Sequence, residues 1–287
     1  MRNVGIVSLG AMGSAVADAL SRGGVRVIAT LARRSERTAR LAARADIALL
    51  PDLGAVVREA DAILSIVPPE AAATVAHDVL AEARGQAVEP LLVELNAIAP
   101  ETALAIESRA AESGLEIVDG SISGPPPWRP GTTRVYLSGT RAREVAQLPF
   151  EGVDLIVVGD RVGAASAVKM STASIYKGTT ALLLQSLRSA HANGVLEHVL
   201  ADLQAAAPEL VARAERRLAS GATKSRRYVG EMHEIAATQS AAGLTPALFE
   251  AMAEIYAALA GTPLATMNPE EVPEELALTW VLDRLRE

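Results

Sequence analysis

The first half of the chain alternates short hydrophobic runs, rich in β-branched residues, with stretches in which apolar residues recur every three or four positions. The first pattern predicts strands and the second predicts amphipathic helices. We predict strands at Asn3–Ser8, Val25–Leu31, Ala62–Val67, Leu91–Leu95, Leu115–Asp119, Arg134–Ser138 and Asp154–Val158. We predict helices at Met12–Arg22, Arg37–Arg44, Leu53–Glu59, Glu70–Ala83 and Glu101–Ser113. This alternation predicts an α/β fold with a parallel, doubly wound sheet.

The second half of the chain lacks strand signals. From Gly163 onwards the pattern is helical throughout, with predicted breaks near Gly194, Pro208, Gly221, Gly243 and Gly261–Pro263. We therefore predict an α/β domain over residues 1–162 and an all-α domain over residues 163–287.

Composition narrows the class of protein. The chain has 287 residues, no cysteine and a net charge of −7. The absence of cysteine excludes disulfide and thiolate chemistry. The negative net charge argues against nucleic acid or an anionic membrane as the main partner. The four histidines are scattered without metal-ligand spacing, so we expect no metal site. We see no signal peptide or membrane-spanning run and expect a cytoplasmic protein.

The first predicted strand leads into a glycine-containing turn. Positions 8–13 read Ser-Leu-Gly-Ala-Met-Gly, where a dinucleotide-binding Rossmann domain has Gly-x-Gly-x-x-Gly, so Ser8 departs from the pattern. The second glycine lets the backbone approach a pyrophosphate, and the third lets the helix pack against the strand. The residues predicted to contact the cofactor here are Leu9, Gly10, Ala11, Met12 and Gly13. The alternative is an ordinary strand–helix turn.

Two arginines follow the second predicted strand. An NAD-preferring domain carries an acidic residue at this point, whereas this chain has Arg33, Arg34 and Ser35. Two guanidinium groups and a hydroxyl suit the 2′-phosphate of NADP. We therefore predict that NADP is preferred, with NAD possible. The alternative is a pair of solvated charges at the start of a helix.

Several segments resemble the β-hydroxyacid dehydrogenase family, which includes 3-hydroxyisobutyrate and 6-phosphogluconate dehydrogenases. The resemblance is carried by Gly10–Gly13, Val67–Pro69, Glu94–Pro100, Asp119–Gly124 and Gly163–Lys169. It implies that Val67 and Pro68 lie beside the adenosine ribose and that Asn96 lies near the nicotinamide. A further segment, residues 225–235, resembles a little-characterised branch of this superfamily with a shorter helical domain.

The resemblance also implies a substrate loop. Ser123 and Gly124 would contact a substrate carboxylate or phosphate through a hydroxyl and a backbone N–H. Pro125 continues this segment and opens a stiff loop that ends at Gly131 and carries Trp128. That loop would form a pocket wall or a lid, or alternatively a surface or dimer contact.

Lys169 matches the position of the family's catalytic lysine, which acts as the general acid/base. A lysine whose pKa is lowered by burial can take the hydroxyl proton in oxidation and return it in reduction. The family has asparagine four residues later, where this chain has Ala173. Thr172 and Tyr176 lie about 60° and about 20° from Lys169 on a helix, so their hydroxyls could replace that amide. Plain packing is the alternative for Thr172, and a solvated helix face is the alternative for Lys169.

Lys177 follows Lys169 by eight residues, which is about 80° round and roughly 12 Å along a helix. We predict that it binds the far end of an anionic substrate, the alternative being a cap on an exposed turn before Gly178.

Together these features predict an NADP-dependent oxidoreductase that acts between its two domains on a small, anionic hydroxy or keto substrate. We expect a homodimer with interlocking helices. Two alternatives stay open. One is an imine reductase of the same fold, against which Lys169 argues. The other is a non-catalytic NADP-binding protein, which Ala173 keeps open.

Overall fold

The computed structural model describes residues 1–268 and 271–285. The chain divides into two compact units, Met1–Met170 and Ser171–Glu287. The border between them falls inside one long helix, α7 (Ala164–Ala192), which begins close to the predicted start of the all-α domain. Within the described ranges, no helix is long and apolar enough to cross a membrane.

An eight-stranded sheet runs through the first unit in the order β3-β2-β1-β4-β5-β6-β7-β8. Its strands are β1 (Asn3–Val7), β2 (Arg26–Thr30), β3 (Ala48–Leu50), β4 (Ala62–Ser65), β5 (Leu91–Glu94), β6 (Ile117–Ser123), β7 (Thr133–Ser138) and β8 (Val153–Gly159). Neighbouring strands are parallel except for the antiparallel pair β6 and β7. The predicted Rossmann-type sheet followed by helices is confirmed, with this one antiparallel pair as a departure.

Helices connect the parallel strands of the first unit. They are α1 (Ala11–Arg22), α2 (Glu36–Ala42), α3 (Leu53–Glu59), α4 (Ala72–Gln86), α5 (Pro100–Glu112) and α6 (Ala142–Val145). The side chains of Ser35 and Asp52 accept hydrogen bonds from the backbone N–H groups of Thr38 and Ala55, which caps α2 and α3. Pro100 opens α5, where a missing N–H costs nothing.

The central strands are apolar on both faces because helices cover both sides of the sheet. Leu64 and Val93 belong to one buried hydrophobic cluster, whereas their strand neighbours Ile63 and Leu92 belong to a second. Successive residues of a strand point to opposite faces, so each cluster fills one side of the sheet.

Strand β6 is longer than the sequence predicts. We expected a strand at Leu115–Asp119 followed by a substrate loop, but β6 runs to Ser123 and pairs with β7 as far as Ser123 opposite Arg134. The expected loop is therefore mostly a hairpin strand, and the turn begins at Gly124. The sequence also missed β3 and α6, whose three and four residues are too few to show a period.

The second unit is built from helices in its described part. After α7 come α8 (Leu196–Ala206), α9 (Pro208–Val211), α10 (Ala214–Thr223), α11 (Ser225–Ala241), α12 (Ala247–Leu259) and α13 (Leu278–Asp283). The break predicted near Gly221 comes at Lys224, between α10 and α11, and Gly221 itself lies inside α10. A Cβ atom there would lie 3.2 Å from the Thr180 side chain of α7, so glycine permits close packing between these helices.

Candidate active site

The turn between β1 and α1 has the backbone geometry of a phosphate-binding loop. Ser8 has φ of +76°, a left-handed conformation that favours glycine, at the position where the fingerprint has its first glycine. A Cβ atom on Gly13 would lie 2.0 Å from the Ser8 carbonyl oxygen, so only glycine fits there. A Cβ atom on Gly10 would meet no described atom within 4 Å. The space above Gly10 is therefore open to a ligand.

The start of α1 suits an anion. Gly10 is the N-cap and has no side chain with which to cap the helix, and the first turn of α1 has no acidic residue. The N–H groups of a first helical turn lack partners within the helix, and the helix dipole favours negative charge there. Ala11 and Met12 are half-buried in this turn. The Leu9 side chain is buried in the core, so only its backbone faces the turn.

Arg33 and Arg34 lie in the exposed turn after β2. Arg33 has φ of +59°, and the Arg34 N–H donates to the Leu31 carbonyl oxygen at 3.0 Å. Ser35 is committed to the N-cap of α2, where its hydroxyl accepts from the Thr38 N–H at 3.3 Å. The two guanidinium groups are therefore the part of this turn that is free to meet solvent or a ligand.

Asn96 joins the ends of β4 and β5. Its side-chain oxygen accepts from the Val67 N–H at 2.6 Å, and its amide nitrogen donates to the Ser65 hydroxyl at 3.0 Å. Asn96 is buried, so it holds the backbone of Val67 in place beside Pro68. The structure thus brings together three residues that the sequence predicts near the cofactor.

Glu94 lies directly beneath this network and is fully buried. Its Oε1 accepts from the Asn96 N–H at 3.0 Å, and its Oε2 has no hydrogen-bond partner among the described residues. Burial raises the pKa of the Glu94 carboxyl to about 8, and hydrogen bonds from Asn96 and Ser65 offset only part of that rise. The group is therefore mostly protonated at neutral pH.

Asp119 fixes the start of α7. Its Oδ2 accepts from the N–H groups of Gly163 and Ser166 at 2.9 and 3.0 Å and from the Ser138 hydroxyl at 2.9 Å. Its Oδ1 accepts from the Ser166 hydroxyl at 2.6 Å. Burial raises the pKa of the Asp119 carboxyl, while these four hydrogen bonds act in the opposite direction. One carboxylate therefore ties β6, β7 and the first turn of α7 together.

Lys169 extends this attachment towards the end of β6. Its Nζ donates to the Ile122 carbonyl oxygen at 2.6 Å, and one turn earlier the Ser121 hydroxyl donates to the Ala165 carbonyl oxygen at 2.9 Å. Lys169 is half-buried. Its ammonium group is thus held one residue before Ser123, at the carboxyl end of β6.

The predicted substrate residues follow at the hairpin turn. Gly124 has φ of +112°, and a Cβ atom there would lie 2.3 Å from the Thr132 carbonyl oxygen, so the hairpin itself requires this glycine. The Pro125 carbonyl oxygen accepts from the Thr133 hydroxyl at 2.6 Å. The Trp128 ring stacks on the Arg44 guanidinium at 3.9 Å, which packs the proline-rich loop against the segment after α2.

The candidate residues of the first unit share one edge of the sheet. Strands β2, β1, β4, β5 and β6 are parallel neighbours, so their carboxyl ends meet there. Ligands of doubly wound sheets bind at this edge, near the point where the strand order reverses. Here that point lies between β1 and β4. The glycine turn, the arginine turn, Asn96 and the Lys169 ammonium all belong to this edge.

The other candidates belong to the second unit. Thr172 is half-buried, and Tyr176 is 70% exposed. Lys177 lies within α7 and not on a turn, and its ammonium forms an ion pair with Glu231, which also pairs with Arg227 at 3.1 Å. The alternative in which Lys177 caps an exposed turn is therefore wrong.

The sequence analysis assigned no role to two buried acidic residues that position the candidate site residues. Glu94 and Asp119 stand in segments that carry the family resemblance, but no role follows for them from the pattern. A signal was present in the sequence, because each acidic residue directly follows an apolar strand run. Glu94 follows Leu91–Val93, and Asp119 follows Ile117–Val118. An acid in such a run is buried and needs partners.

Each half of the chain contains a segment that matches a known protein family. Residues 3–143 match the NAD binding domain of 6-phosphogluconate dehydrogenase, and residues 190–259 match a domain of unknown function (DUF1932). An uncharacterised 28.5 kDa protein of Methanothermus fervidus is 26% identical over 201 residues, which cover 70% of this chain and 76% of that protein.

Solved structures share the fold. A conserved protein of unknown function, described as structurally similar to 3-hydroxyacid dehydrogenases, has 28% identity and a TM-score of 0.66 and covers 90% of this chain and 96% of its own. The Mycobacterium tuberculosis 3-hydroxyisobutyrate dehydrogenase, solved with L-serine, has 18% identity and a TM-score of 0.72 over the whole of both chains. Imine reductases share the fold as well.

The protonated state of Glu94 predicts a pH-dependent stability. The Glu94 carboxyl loses its proton near pH 4.5 in the unfolded chain and near pH 8 in the folded chain. Its contribution to the free energy of unfolding is therefore complete below pH 4.5 and is lost as the pH rises towards 8. Between these values the free energy of unfolding of the native protein should fall relative to that of Glu94→Gln by about 1.4 kcal/mol per pH unit. Urea unfolding of both proteins at several pH values measures the difference. Parallel pH profiles would contradict a protonated Glu94.

Proposed function

We propose that the chain is an NADP-preferring oxidoreductase of the β-hydroxyacid dehydrogenase superfamily, in a branch with a helical C-terminal domain. It transfers hydride between the nicotinamide and a small, anionic hydroxy or keto substrate. Lys169 is the general acid/base. The observation that carries this proposal is the Lys169 ammonium, held 2.6 Å from the Ile122 carbonyl oxygen at the edge of the sheet that carries the glycine turn.

The residues present fit a dinucleotide. The open backbone at Gly10 and the uncapped start of α1 would hold the pyrophosphate. Arg33 and Arg34 would hold the 2′-phosphate, and the backbone of Val67 and Pro68 would line the adenosine ribose. When bound, the nicotinamide supplies the site that accepts or returns hydride.

Lys169 would move the proton that accompanies the hydride. In oxidation, its neutral amine takes the hydroxyl proton of the substrate while the C–H bond breaks and a C=O bond forms. In reduction, its ammonium returns that proton to the developing alkoxide. The hydrogen bond to Ile122 and the Asp119 attachment of α7 support this role because both fix the position of Nζ.

The proposed substrate contacts are Ser123, Gly124 and Pro125 at the end of β6, with Asn96 as the support of the nicotinamide site. Thr172 and Tyr176 would supply hydroxyl donors in place of the family's asparagine. Lys177 would attract the anionic end of the substrate, although its pairing with Glu231 leaves it little net charge to contribute.

Two other functions stay testable beside this one. Imine reductases share the fold, so the chain could reduce a C=N bond. A panel of small keto acids and cyclic imines, scored by NADPH consumption, separates the possibilities. Turnover of imines alone supports the reductase, and cofactor binding without turnover supports a non-catalytic protein.

The proposal includes a homodimer. Ile175 and Leu182 lie two turns apart on the same side of α7 and are 64% and 65% exposed, so they form an apolar stripe that fits a face covered by a second copy. Sedimentation velocity tests this, since a stable monomer at micromolar concentration would contradict it.

The cofactor preference depends on the arginine turn. The double variant Arg33→Ala/Arg34→Ala should bind NADPH more weakly by about 1.5–3 kcal/mol for each charged hydrogen bond lost, while NADH affinity stays nearly unchanged. Titration calorimetry with both cofactors measures this. Arg40→Ala is the matched control, because it removes one guanidinium from the far end of α2. Tighter binding of NADH than of NADPH by the native chain would exclude the proposed preference.

The acid/base role predicts a loss of turnover without loss of cofactor. Lys169→Ala should lower kcat by about 10²–10⁴ on the best substrate of the panel, because the proton then has no donor or acceptor. NADPH affinity should stay within a few fold. A variant that keeps most of its turnover removes Lys169 from the mechanism, and a collapse of NADPH affinity would make its role structural.

A further inference from the structure

A row of buried polar side chains crosses the sheet of the first unit. The row consists of Ser65 on β4, Glu94 on β5, Asp119 on β6 and Ser138 on β7, each paired in register with the next. Residues paired in this way project to the same face of a sheet, and all four are buried. Asp119 and Ser138 hold the first turn of α7, whereas Glu94 has no role in the proposed reaction.

The two carboxyl groups of this row differ in their hydrogen bonds. Asp119 accepts four, which stabilise a negative charge on it. Glu94 accepts from the Asn96 N–H at 3.0 Å, but its Oε2 has no hydrogen-bond partner among the described residues. Neighbouring buried carboxyl groups are costly to ionise together, so the one with fewer donors keeps its proton. Burial, and after it the charge of Asp119, raises the pKa of the Glu94 carboxyl to about 8.

The other ionisable groups around β5 lie away from Glu94. Strand β4 has none, and Asp119 is the only one on β6. On α7, the Lys169 ammonium is directed to the Ile122 carbonyl oxygen at the end of β6. The helices that cover this face of the sheet carry their ionisable residues on the exposed side, namely His77, Asp78, Glu82 and Arg84 of α4 and Glu101, Glu107, Arg109 and Glu112 of α5. Burial and Asp119 therefore govern the charge of Glu94.

Glu94 lies on the side of the sheet edge where the nicotinamide half of a dinucleotide would bind. The proposed pyrophosphate site follows β1, and the proposed 2′-phosphate site follows β2. The rest of the dinucleotide then extends in the opposite direction, across the switch point to the ends of β4 and β5. Asn96 lies at that end of β5 and is hydrogen-bonded to Glu94. A charge on Glu94 would therefore act on the nicotinamide ring from within the sheet.

We propose that Glu94 determines which oxidation state of the nicotinamide the site prefers, an inference that rests on the proposed function. The nicotinamide ring is cationic when oxidised and neutral when reduced. A carboxylate at Glu94 attracts the oxidised ring alone, whereas an uncharged Glu94 leaves both forms without this attraction. In a site from which water is excluded, one such charge changes the ratio of the two affinities by about tenfold. A protonated Glu94 thus favours the reduced cofactor, and with it reduction of the substrate.

Cofactor binding measured across the titration of Glu94 tests this inference. In the native chain the dissociation constant of NADP⁺, divided by that of NADPH, should fall by about tenfold from about pH 6 to about pH 9.5, because only the oxidised ring is attracted by the carboxylate. The phosphates are common to both forms, so their contribution cancels in this ratio. Glu94→Gln should lose most of the fall, and any remainder belongs to groups such as Lys169 that both proteins share. Glu107→Gln, the same change at an exposed position of α5, should keep the native fall.

Proton release gives a second measurement, which can be made on the native chain. At about pH 8, binding of NADP⁺ should release more protons than binding of NADPH, because the cationic ring lowers the pKa of the Glu94 carboxyl. Titration calorimetry in two buffers of different ionisation enthalpy measures the difference. It should persist in Lys169→Ala and vanish in Glu94→Gln. A difference that vanishes in Lys169→Ala and persists in Glu94→Gln overturns the inference.

The outcomes separate this inference from the proposed function. If the native chain binds both cofactors but the ratio of their dissociation constants does not change with pH, the inference is wrong and the proposed function stands. The same conclusion follows if the ratio changes equally in the native chain and in Glu94→Gln. If the native chain binds neither NADP⁺ nor NADPH, the proposed function and the inference are both wrong.

Discussion

The buried carboxylate of Asp119 determines the position of Lys169, the candidate catalytic residue. Asp119 is almost inaccessible to water, and it offers two oxygens to four donors on β7 and on the start of α7. Removing a carboxylate from water is costly unless its hydrogen bonds are made, so the first turn of α7 is held where those donors are needed. Lys169 follows one turn after Ser166, and its contact with Ile122 depends on that placement.

The same reasoning applies to the neighbouring strand ends. Asn96 and Glu94 form a buried polar network that fixes the backbone at Val67, and Gly13 allows α1 to lie close to the end of β1. These contacts, all of them within the chain, shape one edge of the sheet. Preorganised donors at such an edge need little rearrangement when a cofactor binds, which favours both affinity and catalysis.

The sequence predicted the sheet, the glycine turn and the helical second half because each leaves a local pattern. Seven of the eight strands were predicted from their hydrophobic runs, and Gly10 and Gly13 lie at a fixed spacing after the first of them. Other features depend on contacts distant in sequence. The extension of β6 to Ser123 comes from pairing with β7, and the pairing of Lys177 with Glu231 joins residues 54 positions apart, so neither leaves a local signal.

Hydrogen exchange at the start of α7 tests the central role of Asp119 most directly. In Asp119→Asn the amide that replaces the carboxylate cannot accept all four hydrogen bonds. The backbone N–H groups of Gly163 and Ser166 should then exchange about tenfold faster or more than in the native protein, while those of β1 and β4 keep their native rates. Unchanged exchange at Gly163 and Ser166 would contradict the account, because α7 would then hold its position without this carboxylate.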